Sequence, residues 1–173
     1  LECDLCESWE MTPDLAIEFR LRPDVRWHNI APVNGRLLVA EDLAFSYERM
    51  QTPGWPNAGL LSAVRRIKAL DDETLSIEMA SPDADVLMAL ADGHSKIVAH
   101  EVVEEFGDLK TSPVVGTGPW VWEETGEGMP MSFVRNPADA QESLPFLDQL
   151  VIQVIKQSEL DRSGSDERLA AFL

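Results

Sequence analysis

The chain has 173 residues, enough for one domain with a real core and too few for two comfortable ones. Its 45% hydrophobic and 26% charged composition is globular rather than disordered or fibrous, and no run approaches the ~18 consecutive apolar residues that span a membrane. A net charge of −17, from 31 acidic against 14 basic residues, argues against nucleic-acid binding; it fits a solvated acidic surface and would favour cationic ligands.

In chain order, Leu1-Glu2-Cys3-Asp4 reads directly as mature sequence, with no basic-then-apolar leader. Cys3 and Cys6 form a lone C-x-x-C. Zinc would need two more ligands, which the spacing of His28, His94 and His100 does not supply, and a redox motif would need a preceding strand. A local disulfide or a pair of free thiols remains. Ala16 to Leu21 alternates, with Ile17, Phe19 and Leu21 on one face, and predicts a half-buried strand. Pro23-Asp24 turns the chain into a second short strand carrying Val25 and Trp27, with Arg20, Arg22 and Arg26 on a solvent face. Ile30 to Leu38, with Pro32 and Asn34-Gly35, is a loop. A helix from about Ala40 places Leu43, Ala44, Tyr47 and Met50 at helical spacing, with Glu41 and Asp42 favourable in its first turn.

Thr52-Pro53-Gly54-Trp55-Pro56-Asn57 breaks that helix. Leu60 to Leu70 leads into a strand, Asp71-Asp72-Glu73 turns it, and Leu75, Ile77 and Met79 alternate in its hairpin partner. A short helix is predicted over Asp83 to Leu90, with Ser81 as its cap and Pro82 at its first position. After the apolar step Ile97-Val98-Ala99, another helix runs from His100 to Phe106 and ends at Gly107. Val114 to Trp120 is a glycine-rich connection. It feeds a strand (Trp120 to Glu123), a turn at Gly126-Glu127-Gly128, a return strand (Met131 to Arg135) and a last strand within Leu147 to Ile155. A polar helix over Glu159 to Leu173 closes the pattern. Hairpins interspersed with helices, without βαβ regularity, predict an α+β domain. Its expected core holds Phe19, Leu21, Trp27, Ile77 and Trp120, with Trp27 and at least one of Trp120 and Trp122 buried.

Little in this pattern is catalytic. Gly116-Thr117-Gly118-Pro119 lacks the Lys-Ser/Thr of a phosphate loop, and Pro119 removes a backbone donor, so a tight turn is the reading. Adjacent carboxylates such as Asp71-Asp72, Glu104-Glu105 and Glu123-Glu124 belong to turns and exposed faces. His94 lies in a loop that could carry function, but no serine nucleophile motif accompanies it. His28 is read as a surface or packing residue. Trp55, on a proline-bracketed loop with no evident packing role, is a candidate ligand contact.

Trp9-Glu10, Phe19-Arg20-Leu21-Arg22-Pro23, Asn34-Gly35, Ala40-Glu41-Asp42 with Phe45-Ser46 and Arg49, and Leu70-Asp71-Asp72-Glu73-Thr74 occur in that order. Gly116-Thr117-Gly118-Pro119-Trp120, Arg135-Asn136-Pro137 and Pro145-Phe146-Leu147-Asp148 follow. Each motif is weak alone; together the chain resembles the bacterial extracellular solute-binding proteins of family 5, the peptide-, dipeptide- and nickel-type receptors of ABC importers. One departure is Ala138-Asp139-Ala140-Gln141, where the family usually places aromatic residues.

The resemblance implies that residues 1–173 are a single domain, a fragment of lobe I of a two-lobed type II periplasmic-binding-protein fold. It would combine antiparallel hairpins and mixed sheet with helices. The second lobe and the return segment would lie outside these residues. It also implies an extracytoplasmic receptor that captures peptides or similar small solutes and partners the permease subunits of an ABC importer, with no catalysis, metal or cofactor. In such receptors the loops at Thr52 to Gly59 and Ala91 to Lys96 approach the cleft, making Trp55, Asp92, His94 and Lys96 the candidate ligand-side residues. The alternative is an acidic α+β interaction module without small-molecule capture; a hydrolase built on His94 and a carboxylate is a remoter third.

Overall fold

In the computed structural model, residues 2–123, 126, 129–139 and 144–154 are described. Their spine is a four-stranded antiparallel sheet in the order β1-β2-β4-β3: β1 (Cys6–Met11), β2 (Ala16–Leu21), β3 (Val64–Ala69) and β4 (Thr74–Met79). Register places Ile17 opposite Ile77 and Ile77 opposite Ile67. The alternation read in β2 and β4 therefore stacks one apolar row across three strands, and Ile17 and Ile77 are sealed from solvent.

Helix α1 (Ala40–Met50) packs on β3 and β4 and turns Leu43, Ala44 and Tyr47 inward. The short helices α2 (Val86–Leu90) and α3 (His100–Phe106) follow. Asp92 to Ala99 connects them, and the Ser46 hydroxyl, which donates to the Asp42 carbonyl within α1 (2.7 Å), pins that connection to α1 by accepting the Val98 N–H (2.9 Å). A second antiparallel sheet, β5-β6-β7, is formed by β5 (Trp120–Glu123), β6 (Met131–Arg135) and β7 (Gln149–Ile152). The α+β reading stands. Every strand pairing among the described residues is antiparallel, with no parallel pair to make either sheet mixed.

Several local expectations are corrected. The second strand after Pro23 reduces to one bridge between Arg26 and Leu37. Asn34 and Gly35 take positive φ (55° and 71°), which curls the chain too tightly for a ladder. Val25 and Trp27 are nevertheless buried as expected. Helix α2 begins at Val86 with Asp85, not Ser81, at its N-cap, because the Asp83 carboxylate binds the Asp85 N–H (2.8 Å) and holds that stretch in a turn. Leu21, Trp27 and Ile77 are core, whereas Phe19 is half-buried and neither Trp120 nor Trp122 is buried. No helix of the described residues covers the second sheet, and all four residues of β7 are exposed. The helix expected over Glu159 to Leu173 lies outside the described residues.

The strongest polar feature is Asp42, only 1% exposed. Its carboxylate accepts the Arg36 guanidinium in a bidentate pair (2.7 and 2.6 Å), the Trp27 indole N–H (3.2 Å) and the Val39 N–H (3.0 Å). Arg36 also grips Glu101 on α3. Hydrogen bonding to Arg36 pulls the Glu101 carboxyl from near 4.5 to about 2.

Asp42→Ala strands the Arg36 charge and the indole and backbone donors, and should cost about 3–5 kcal/mol in urea unfolding. A loss below about 0.5 kcal/mol would show the network to be dispensable. Because the folded-state pKa of Glu101 is depressed, its stabilisation is complete above the unfolded value near 4.5 and fades as pH falls toward about 2. Glu101→Gln should therefore flatten the acid limb of a stability–pH profile below about pH 5. An unchanged limb refutes that role.

Candidate functional site

A groove of about 580 Å³ opens where three chain segments meet: the Cys3–Cys6 loop, the connection after α2, and Gly116 to Gly118. Its walls include Leu5, Trp9 and Phe19 from the N-terminal loop and first two strands, and Leu87, Leu90 and Ile97 from α2 and its connection. Leu43 and Tyr47 of α1 line it from the buried side.

The N-terminal rim is shaped covalently. Cys3 and Cys6 form a disulfide, which decides between the two thiol states open in the sequence. The loop it closes is held to the sheet by Arg22, whose guanidinium donates to the Asp4 carbonyl (2.8 Å) and whose N–H donates to the Leu5 carbonyl (3.0 Å).

The opposite rim is the glycine-rich turn. The His28 ring, 4% exposed, accepts the Gly116 N–H at Nδ1 (3.2 Å) and lies 2.9 Å from the Gly118 carbonyl at Nε2. Both bonds form together only in the neutral imidazole with its proton on Nε2. The buried Asn136 side chain donates to the same Gly118 carbonyl (3.0 Å), and its N–H donates to the Pro119 carbonyl (2.8 Å). The Gly116 amide is thus committed to His28, and Pro119 has no amide to offer, so the loop works as a turn and not a phosphate cradle. His28 is the packing residue of the two readings made for it. That it would reach across 88 positions to Gly116 has no signal in its own neighbourhood of the sequence.

The four sequence candidates separate. Asp92 and Lys96 line the groove at its exposed edge. His94 does not line it, but its backbone N–H and Nδ1 both lie against the Asp92 carboxylate (2.8 and 2.7 Å). The backbone bond first, then the ring, hold the Asp92 carboxyl below the usual carboxylate range. Trp55 lies apart from the groove, with the Arg49 guanidinium 4.2 Å over its ring, a packing role its sequence neighbourhood did not reveal. Tyr47, helix core by its spacing, also lines the groove wall, which nothing in that spacing indicates. The neighbouring Ser95 hydroxyl is spent on the Ala89 carbonyl (2.6 Å), so it is not poised beside His94 as a nucleophile. Asp42, His100 and Glu101 lie close enough to share a metal ion among the described residues, yet the guanidinium of Arg36 already occupies their centre as the compensating cation.

The sequence model of the bacterial extracellular solute-binding proteins, family 5, matches residues 1–164. Di/tripeptide-binding protein 2 of Pseudomonas aeruginosa is 29% identical over 170 residues, covering 87% of this chain and 32% of its own length. The probable ABC transporter periplasmic-binding protein SapA of Escherichia coli is 26% identical, covering 98% and 33%. The periplasmic binding protein DppA of Helicobacter pylori, solved with the peptide STSA, superposes with a TM-score of 0.76 at 24% identity, over 99% of this chain and 35% of that one, a likeness of fold. The chain spans about a third of the length of the curated relatives it matches.

Replacing His28 with Phe keeps the ring volume but strands the Gly116 amide and removes one donor from Gly118. It should cost about 1–3 kcal/mol and raise amide exchange at Gly116. Exchange and stability equal to wild type would show that the turn does not depend on the histidine.

Proposed function

This chain belongs to the bacterial extracellular solute-binding proteins of family 5, and on that premise we propose that it is a fragment of lobe I of an extracytoplasmic receptor. The receptor captures peptides or similar small solutes and presents them to the permease subunits of an ABC importer. The observation that carries this reading is the groove itself: an open concavity with apolar walls, polar groups at its rim, and no nucleophile–base pair among its lining residues. That is the chemistry of capture and release rather than of turnover. The peptide-binding names of the relatives favour a peptide. The Cys3–Cys6 disulfide suits an oxidising, extracytoplasmic compartment, and no helix among the described residues is long and apolar enough to cross a membrane.

In this reading Asp92 and Lys96 meet the ligand at the groove edge. His94 acts by fixing the Asp92 carboxylate, and Trp55 faces the ligand from a separate loop, its ring backed by Arg49. One lobe supplies only part of the contacts, while the entropy a captured ligand loses is nearly the same.

Calorimetry against a dipeptide and tripeptide library should therefore give millimolar or weaker binding to residues 1–173, about −4 kcal/mol, and far tighter binding to the whole receptor. In the whole receptor, Trp55→Ala or Asp92→Ala should weaken capture without unfolding the protein. Micromolar binding by residues 1–173 alone would show the site to be complete within them. Failure of the whole protein to capture any peptide would reject the peptide-receptor reading.

A further inference from the structure

His28 is joined to the turn at Gly116 to Gly118 by three hydrogen bonds. Its backbone N–H donates to the Gly116 carbonyl (2.7 Å), its Nδ1 accepts the Gly116 N–H (3.2 Å), and its Nε2 lies 2.9 Å from the Gly118 carbonyl. The ring is so close that a Cβ on Gly116 would sit 3.5 Å from its Cε1. The Nδ1 bond differs in kind from the other two. A peptide N–H can only donate, so Nδ1 must keep its lone pair, whereas in the other two bonds His28 is itself the donor. Adding a proton to the ring destroys the Nδ1 bond and sets two N–H groups against each other. The outer two bonds survive, and the positive charge strengthens the one from Nε2.

The surroundings offer no compensation for that charge. His28 is 4% exposed. The turn from Gly116 to Pro119 carries no titratable side chain, and the end of β6 contributes the neutral Asn136. The cations of the loop that carries His28 have other partners: Arg26 donates to the Gly35 carbonyl (3.1 Å), and Arg36 is held by Asp42 and Glu101. Among the described residues the ion-paired histidines are His94 and His100, and neither Asp24 of the same loop nor any other carboxylate pairs with His28. A buried positive charge without a counter-ion is costly. The closed turn and the protonated ring therefore exclude each other.

We infer that His28 is a proton-sensitive latch on Gly116. With the ring neutral, the turn is closed onto the loop before α1. With the ring protonated, the Gly116 end swings away, while Gly118, which Asn136 also holds, stays in place as the pivot. Gly116 to Gly118 form one rim of the groove, so the acidity of the medium adjusts that rim. The device follows from the direction of one hydrogen bond and does not depend on what the groove holds.

The test is a heteronuclear NMR titration of the 173-residue chain from about pH 8 to about pH 5, the range in which histidines change charge. At the upper end the His28 ring nitrogens should read as the Nε2–H tautomer. As that ring charges, the Gly116 amide should shift with the same midpoint. Its protection factor, which removes the intrinsic pH dependence of exchange, should fall roughly threefold to tenfold, the worth of one hydrogen bond. Protection along β4 and the Asn136 side-chain amide signal should stay level. His28→Asn, whose carboxamide oxygen accepts at every pH, and His28→Phe, which never accepts, should both abolish the step; His94→Gln and His100→Gln should keep it. The wild-type titration decides the matter even where a variant folds poorly. A Gly116 amide that ignores the His28 midpoint, or follows His94 or His100 instead, overturns the latch. So does a step that persists in His28→Phe, or loss of the Asn136 signal together with that of Gly116. None of these outcomes touches the receptor reading, which is tested by capture in the whole protein.

Discussion

The carboxylate of Asp42 has almost no contact with water, and four donors from three parts of the chain converge on it. A buried charge is tolerable only when paired and fully hydrogen-bonded, and Asp42 meets both conditions. Such a pair is weak evidence of net stability, because desolvation offsets much of the attraction. What it supplies is registry. Trp27 and Arg36 come from the two limbs of the loop before α1, Val39 is the residue entering that helix, and Glu101, held through Arg36, belongs to α3. One carboxylate therefore sets where α1 starts, how the preceding loop lies under it and how α3 approaches. Leu43 and Tyr47, about one and two turns beyond Val39, reach the groove because of that start.

A lighter joint ties the second sheet to the first. His28, just after the core residue Trp27, holds Gly116 and Gly118, and Asn136 at the end of β6 holds Gly118 and Pro119. The bonds are short-range and geometrically demanding, and they replace the shared apolar core that the two sheets lack among the described residues. The first sheet owes its order to burial and the second, whose β7 is exposed along its length, to this strap and its own ladder. The groove sits at the strap, so its rim on that side is positioned by hydrogen bonds rather than by packing.

The surface charge and the groove act at different ranges. A net charge of −17 biases which ligands approach, and it does so less as salt rises. The apolar walls act only on contact. Between the two lie the Asp92–His94 pair and Lys96, with Asp92 and Lys96 at the exposed edge of the groove. Open geometry of this kind leaves a molecule in the groove exposed to solvent on one side.

Much of the architecture was legible because it depends on local periodicity. Alternation placed β2 and β4, helical spacing placed α1, and Gly107 and Pro119 marked ends that the structure keeps. The order of the motifs also carried the family, although each was weak alone. What sequence could not decide were the meetings of residues far apart along the chain. Asp42 read as a favourable first-turn acid, and its four donors appear only when the loop from Trp27 to Val39 closes over it. Trp120 and Trp122 have the pattern of core residues, but a strand face is buried only if something packs on it. His28 and Tyr47 took their roles from neighbours that periodicity cannot see. The chain determined its elements and its lineage through nearest-neighbour physics, while burial of charge, the strap and the groove were decided by tertiary contact.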